Sequence, residues 1–180
     1  MSQSEKYLSH LLDLYSWCLL PNHFHFQAKM KSEEYVREQL LRIPYKDRTI
    51  TQEGFLIGER NFDELAVRAF TNLFICYSTA TGNQHRRKGN LFYREFKRTL
   101  IEDDQQFRNT MVYIHTNPVK HGIADEFSTY EWSSWSEFTN RKFSKIPREE
   151  VYEIFGNKQA FIAAHYAHQD YLLEKRLYEL

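Results

Sequence analysis

The sequence predicts an α+β fold, a small antiparallel sheet with helices packed on one of its faces. Two short extended runs meet at the turn signal Pro21-Asn22. Residues 62–80 carry a continuous apolar stripe at helical spacing. The chain from Asp103 onward is helical in pattern up to its end. At 180 residues the chain suits one main domain, 1–140, followed by a helical extension, 141–180.

The elements follow in order. Tyr7, Leu8, Leu11 and Leu12 give a helix over 4–14. Tyr15–Leu20 is a short apolar strand. His23–Met30 alternates, with His23, His25 and Gln27 on one side and Phe24, Phe26 and Ala28 on the other, so it is the antiparallel partner. On this register Phe24 points into the core. A helix is expected at Glu33–Leu41, then a long polar loop, Pro44–Gly58. The stripe of the next helix runs from Phe62 through Leu65, Ala69, Phe70 and Leu73 to Tyr77, and the basic loop Thr81–Gly89 ends it. Leu91–Lys97 reads as a third strand. Asp103-Asp104 open another helix, which turns Phe107, Met111 and Ile114 inward and stops near Asn117 because Pro118 constrains its predecessor. Two helices, about 147–155 and 157–177, close the chain; Val151, Phe155, Phe161, His165, Tyr171 and Leu172 are expected to pack on the main domain.

Composition narrows the function classes. Hydrophobic residues make up 42% and aromatics 16%, too many for a disordered chain. Two cysteines, Cys18 and Cys76, exclude a disulfide framework and favour a reducing, cytoplasmic setting. No apolar run approaches the roughly 20 residues of a membrane span, mean hydropathy is -0.67, and the first residues lack a signal-peptide layout. A soluble intracellular protein is expected. The net charge of zero hides a basic window: between His85 and Arg98, six basic residues (Arg86, Arg87, Lys88, Arg94, Lys97, Arg98) face one acid, Glu95. Such a patch suits a polyanion bound at one place; a solvated charged loop is the plain alternative.

The candidate chemistry begins at Pro21-Asn22-His23-Phe24-His25. Histidines at i and i+2 of a strand project to the same side, so both imidazoles can meet one divalent cation. Alone, His-x-His is a weak motif, and two incidental polar-face histidines explain it as well. The second element is Tyr113-Ile114-His115-Thr116-Asn117-Pro118. Tyr113 and Asn117 are one helical turn apart on one face, about 5–6 Å at Cβ. Asn117 offers a neutral oxygen ligand and Tyr113 a phenol able to act as a nucleophile. Ordinary roles exist for both, an amphipathic rim residue and a helix C-terminal residue before proline. His115 projects elsewhere and is not counted as a ligand.

Four motifs occur in order: Trp17-Cys18-Leu19-Leu20-Pro21-Asn22-His23-Phe24-His25-Phe26, Gly89-Asn90-Leu91-Phe92, Tyr113 to Pro118, and Tyr130-Glu131-Trp132-Ser133-Ser134. The set, over about residues 7–136, resembles the REP-associated tyrosine transposases, a branch of the single-tyrosine HUH transposases. The resemblance implies a ferredoxin-like (RRM-like) sheet. It implies that His23, His25 and Asn117 hold Mg²⁺ or Mn²⁺ and that Tyr113 attacks a phosphate of single-stranded hairpin DNA. The products would be a 5′-phosphotyrosine link and a free 3′-OH. A free phenol has a pKa of about 10, so a nearby cation makes such an attack feasible at neutral pH. Arg86, Arg87 and Lys88 would then grip the hairpin backbone, with Arg94, Lys97 and Arg98 along the route to the site.

Members of that family begin with a strand and a longer helix; here about fifteen residues precede Tyr15, so the first strand of the sheet is expected to be missing. A second copy of the chain is one way to complete the sheet, since the family includes homodimers. Gln27 stands where an apolar residue is more usual, which suggests relaxed constraint. Two other readings stay open. One is a hairpin-binding module that no longer cuts. The other is a zinc site built from His23, His25 and Cys18, although Cys18 is better suited to filling core space.

Overall fold

A computed structural model describes residues 8–85, 97–140 and 144–178 of the chain. The fold is α+β. Among the described residues, a two-stranded antiparallel sheet, β1 (Leu12–Leu19) and β2 (Phe24–Met30), is joined by seven α-helices. These are α1 (Glu33–Leu41), α2 (Ile50–Leu56), α3 (Phe62–His85), α4 (Asp104–Lys120), α5 (Trp135–Thr139), α6 (Arg148–Phe155) and α7 (Lys158–Tyr178). Single 3₁₀ turns occupy Tyr45–Asp47 and Phe127–Thr129. The chain divides into two compact units, one of residues 1–12 and 30–98, the other of 13–29 and 99–180.

In the first unit, Leu8 is helical, residues 9–11 form a turn and strand begins at Leu12, so the expected opening helix does not reach residue 14; its residues 4–7 lie outside the described residues. Leu8, Leu11 and Leu12 are all buried. Pro44–Gly58 is not a loop. Thr49 caps α2 with a reciprocal pair of bonds, Gln52 N–H to Thr49 Oγ1 at 3.2 Å and Thr49 N–H to Gln52 Oε1 at 2.8 Å. Arg48 meanwhile donates to the carbonyls of Leu40 (3.1 Å), Leu41 (3.1 Å) and Ile43 (2.9 Å), filling the acceptors that the end of α1 leaves open. α2 packs on both α1 and α3, and Val36, Leu40, Phe55 and Leu65 are the buried apolar side chains here. Asn61 and Glu64 cap α3 reciprocally, and the helix continues to His85 instead of yielding to a basic loop at Thr81. Of its apolar stripe only Leu65 and Ala69 are buried, while Tyr77 is exposed. The third strand expected at Leu91–Lys97 lies outside the described residues up to Phe96, and Lys97 itself is in irregular chain.

The second unit carries β1 from Asp13, β2 up to Lys29, and α4–α7. α7 lies along α4 and also meets α6. Its core holds Met111 and Val112 from α4, Trp135 and Phe138 from α5, Val151 and Phe155 from α6, and Phe161 and Leu172 from α7. Trp135 and Phe161 stack at 5.4 Å between ring centres. Burying an aromatic or branched side chain of this kind contributes about 1.5–3 kcal/mol. The C-terminal helices are therefore part of this core, except that Tyr171 is exposed. The free edge of β1 is covered by the segment after the second 3₁₀ turn. Leu19 N–H donates to Trp132 C=O at 2.8 Å, Ser134 N–H to Trp17 C=O at 2.9 Å, and Cys18 and Ser133 form an antiparallel bridge.

The face of β2 that packs inward is the histidine side. Gln27 is buried, its Oε1 accepting from Ser16 Oγ at 3.2 Å and its Nε2 donating to Phe107 C=O at 3.2 Å. It ties the strand to α4 through bonds an apolar residue could not make, so it is no sign of relaxed constraint. Phe24 is half-buried instead of a core residue, and it stacks on Phe26 at 5.9 Å.

Candidate functional site

β2 and α4 bring His23, His25 and Tyr113 together within the second unit. The turn before β2 closes with Leu20 N–H donating to His23 C=O at 2.8 Å, and the strand starts at the next residue, Phe24. The rings of His23 and His25 then stand 5.0 Å apart, edge to face. From α4, the Tyr113 ring lies 5.5 Å from that of His25. Asn117, one turn further along α4, is fully buried.

The donor chemistry of the group is defined by what is already paired. Asn22 Oδ1 lies 2.6 Å from His23 Nδ1 and can only accept, so that nitrogen carries the proton and Nε2 keeps its lone pair. His25 Nε2 is buried with no hydrogen-bond partner, and so are both Oδ1 and Nδ2 of Asn117. Buried polar atoms rarely stay unpaired, since each costs about 1–3 kcal/mol. Burial lowers the pKa of both histidines, with His121 adding to the shift at His23, and His23, His121 and Lys120 at His25. Both imidazoles are thereby biased to the neutral, ligating form. Two imidazole nitrogens and one carboxamide oxygen are a donor set that fits a divalent cation and leaves positions for water and phosphate. Among the described residues no group of three or more His, Cys, Asp and Glu is arranged as a metal site.

His115 belongs to a different structure. It is fully buried, with Nδ1 at 2.9 Å from His165 Nε2 and Nε2 at 2.7 Å from Ser134 Oγ. The proton order follows from its end. His165 Nδ1 donates to Phe161 C=O at 2.7 Å, so its Nε2 accepts from His115 Nδ1–H, and His115 Nε2 accepts the Ser134 hydroxyl. Ser134 Oγ in turn accepts from Trp17 N–H at 2.8 Å. This chain of bonds, together with Thr116 Oγ1 at 2.8 Å from His168 Nδ1, locks α4 to α7 and to β1 on either side of Tyr113 and Asn117. The Tyr130–Ser134 motif thus seats the helix, and Tyr130 Oη also donates to Leu19 C=O at 2.7 Å.

α4 does not stop at Asn117. It passes through Pro118 to Lys120, where Gly122, at φ 66°, lets the chain turn in the left-handed region. The extra turn brings two residues to the site that the sequence reading missed. Lys120 Nζ stands 4.7 Å from the centre of the Tyr113 ring, and the His121 ring lies 5.3 Å from that of His23. Their spacing, i+7 and i+8 from Tyr113, is the signal in the sequence, and it carries weight only when the helix runs on through Pro118.

Cys18 is buried beside Leu20 and Ile114, and burial pushes its thiol up to about 12, so it fills core space as a protonated thiol. Of the basic window, Arg86, Arg87, Lys88 and Arg94 lie outside the described residues; Lys97 and Arg98 are exposed and belong to the first unit. No described helix is long and apolar enough to cross a membrane.

No family model matches the chain, and no solved structure matches it. Among curated proteins, it is similar to one from Haemophilus influenzae strain Rd named "Putative REP-associated tyrosine transposase", with 26% identity over 118 residues. The match covers 66% of this chain and 56% of that protein, so the chain spans little more than half the length of the relative it matches. This likeness supports the resemblance to REP-associated tyrosine transposases that the four ordered motifs carry.

Proposed function

We propose that the chain is a metal-dependent strand transferase of the HUH type, acting on single-stranded, hairpin-forming DNA in transposition. What supports the reading most is one juxtaposition: the His23–His25 pair faces the Tyr113 ring at 5.5 Å, with the unpartnered amide of Asn117 one turn away. In this reading β1 and β2 belong to a ferredoxin-like sheet, a homodimer is one assembly of the protein, and free Cys18 and Cys76 suit a cytoplasmic setting.

His23 and His25, through Nε2, and Asn117, through Oδ1, would hold Mg²⁺ or Mn²⁺. When bound, that ion supplies Lewis acidity at the scissile phosphate and offsets charge building on its oxygens. The remaining steps belong to the chain. Asn22 holds the His23 ring in its ligating tautomer, and burial keeps both imidazoles neutral. The His115–His165 lock fixes the helix on which the nucleophile rides. Tyr113 Oη attacks phosphorus and gives up its proton to water. The Oη–P bond forms, the P–O3′ bond breaks, and the departing 3′ oxygen takes up a proton. The product is a 5′-phosphotyrosine, which a 3′-OH from a second strand end resolves by the reverse exchange, with no net redox change.

The test is covalent capture. A labelled single-stranded hairpin is incubated with the protein and Mn²⁺ or Mg²⁺, then run on a denaturing gel. The expected result is a protein–DNA adduct that Tyr113→Phe and His23→Ala both lose. Hairpin binding with no adduct under either metal overturns the strand-transfer reading and leaves a binding module.

A further inference from the structure

The site sets one ammonium, that of Lys120, beside a group of neutral donors. Its candidate metal donors, two imidazoles and a carboxamide, are all neutral groups. Lys120 stands over Tyr113 at 4.7 Å and makes no salt bridge among the described residues. Among the described residues no carboxylate is in the contacts of His23, His25, Tyr113 or Lys120, which are with Asn22, His121 and one another. Hard divalent ions are usually held by carboxylates, which cancel part of their charge. A divalent ion on this donor set would keep its full +2 beside the ammonium of Lys120. The missing negative charge has to arrive with the ligand, and a phosphodiester brings it.

We propose that Lys120 is the phosphate-binding cation of this site and that its charge makes tight metal binding conditional on bound DNA phosphate. The inference rests on the strand-transfer reading for the identity of the ligand. Its geometry follows from α4. Lys120 is two turns beyond Tyr113 on the same face, and helical side chains lean toward the N-terminus, which returns the ammonium to the phenol. There it can meet a non-bridging oxygen of the phosphate that Tyr113 attacks. Without DNA, the same ammonium repels the ion. With DNA, the single negative charge of the phosphate lies between the ion and the ammonium and offsets part of their repulsion, so metal and DNA each strengthen the other's binding by one factor.

Mn²⁺ binding, read by the electron-spin resonance of the free ion, separates this from a packing role for the lysine. Lys120→Met keeps the apolar stem over the ring and removes the charge. Titrations use the Tyr113→Phe background, with and without a hairpin oligonucleotide, so that no cleavage intervenes. Without DNA, Lys120→Met is expected to bind Mn²⁺ about tenfold more tightly, and DNA is expected to tighten it less than it tightens the parent. Hairpin affinity without metal is expected to fall about tenfold, and the slope of log K against log salt to shrink by about 0.7, one single-strand phosphate contact. Lys120→Arg should behave as the parent does. Unchanged Mn²⁺ affinity, or an unchanged salt slope, in Lys120→Met overturns the inference. A parent that binds no Mn²⁺ with or without DNA overturns the metal reading, whereas Mn²⁺ binding indifferent to Lys120 overturns the inference alone.

Discussion

Replacing Asn117 by leucine should make the metal-free protein more stable while removing its response to metal. Asn117 is 0% exposed, and neither amide atom has a partner among the described residues. Each unpaired buried group costs about 1–3 kcal/mol. Leucine keeps the branch at Cγ and puts methyl groups where the two polar atoms stood. Their larger volume returns part of the gain as overpacking, about 1–3 kcal/mol. The net expectation in EDTA is a gain of about 1–2 kcal/mol. Urea unfolding followed by tryptophan fluorescence reads the correct part of the chain, because Trp17, Trp132 and Trp135 all lie in the second unit. Saturating Mn²⁺ should stabilise the wild type by mass action, about 2.7 kcal/mol at a hundred times Kd, and this increment should vanish in Asn117→Leu. A loss of more than 1 kcal/mol in EDTA would falsify the reasoning, since it would mean that the amide is satisfied and stabilises the fold.

Three further outcomes follow from the same contacts. The stability of the second unit should fall as pH drops from about 6.5 to 4, because burial lowers His165 to about 4 in the folded state while the unfolded side chain stays near 6.5. The folded state then binds fewer protons across that window, so stability is complete above 6.5 and about 3 kcal/mol is lost on reaching 4; a flat urea midpoint over this range contradicts it. Gln27→Leu should destabilise by about 1–3 kcal/mol by leaving Ser16 Oγ without its acceptor and cutting the tie to the Phe107 carbonyl, and a neutral effect in urea unfolding would show that those bonds contribute nothing. Cys18 should resist thiol reagents in the native protein and react after denaturation, because burial keeps it protonated; mass spectrometry of the labelled chain locates the modified cysteine, and native labelling at Cys18 would refute the packing.

Long apolar stripes and strand alternation made most of the fold legible. α1 lies at the residues expected, and α6 and α7 lie within two residues of theirs, since each carries a full amphipathic face over several turns. The failures have specific causes. Leu8, Leu11 and Leu12 satisfy helical spacing, yet Leu12 opens β1, because a short apolar run is compatible with either period. α2 was hidden by a polar composition, although Thr49-x-x-Gln52 is a capping-box signature that the sequence displays openly. On β2 the alternation was right but its sense was reversed. Polar residues were sent outward by habit, while Gln27 shows that the inward face is the histidine face, satisfied by bonds from α4 that no local pattern reveals.

The boundary at Pro118 was the costly error, and its cause connects the fold to the site. Proline has no N–H for the Ile114 carbonyl and disfavours the helical region for Asn117, so a local rule ends the helix there. The chain overrides it through burial: Pro118 and Val119 are inside, and Arg176 Nη1 reaches the Val119 carbonyl at 3.4 Å. His121 N–H still finds the Asn117 carbonyl at 3.0 Å, and Ile123 N–H the Pro118 carbonyl at 2.8 Å. Tertiary contacts with α7 thus hold a turn that local energetics would release. That turn carries Lys120 back over Tyr113 and His121 toward His23. The same contacts explain why α7 packs so closely on α4: the helix bearing Tyr113 is weakened by its own proline one residue after Asn117, and the His115–His165 and Thr116–His168 bonds brace it from the side.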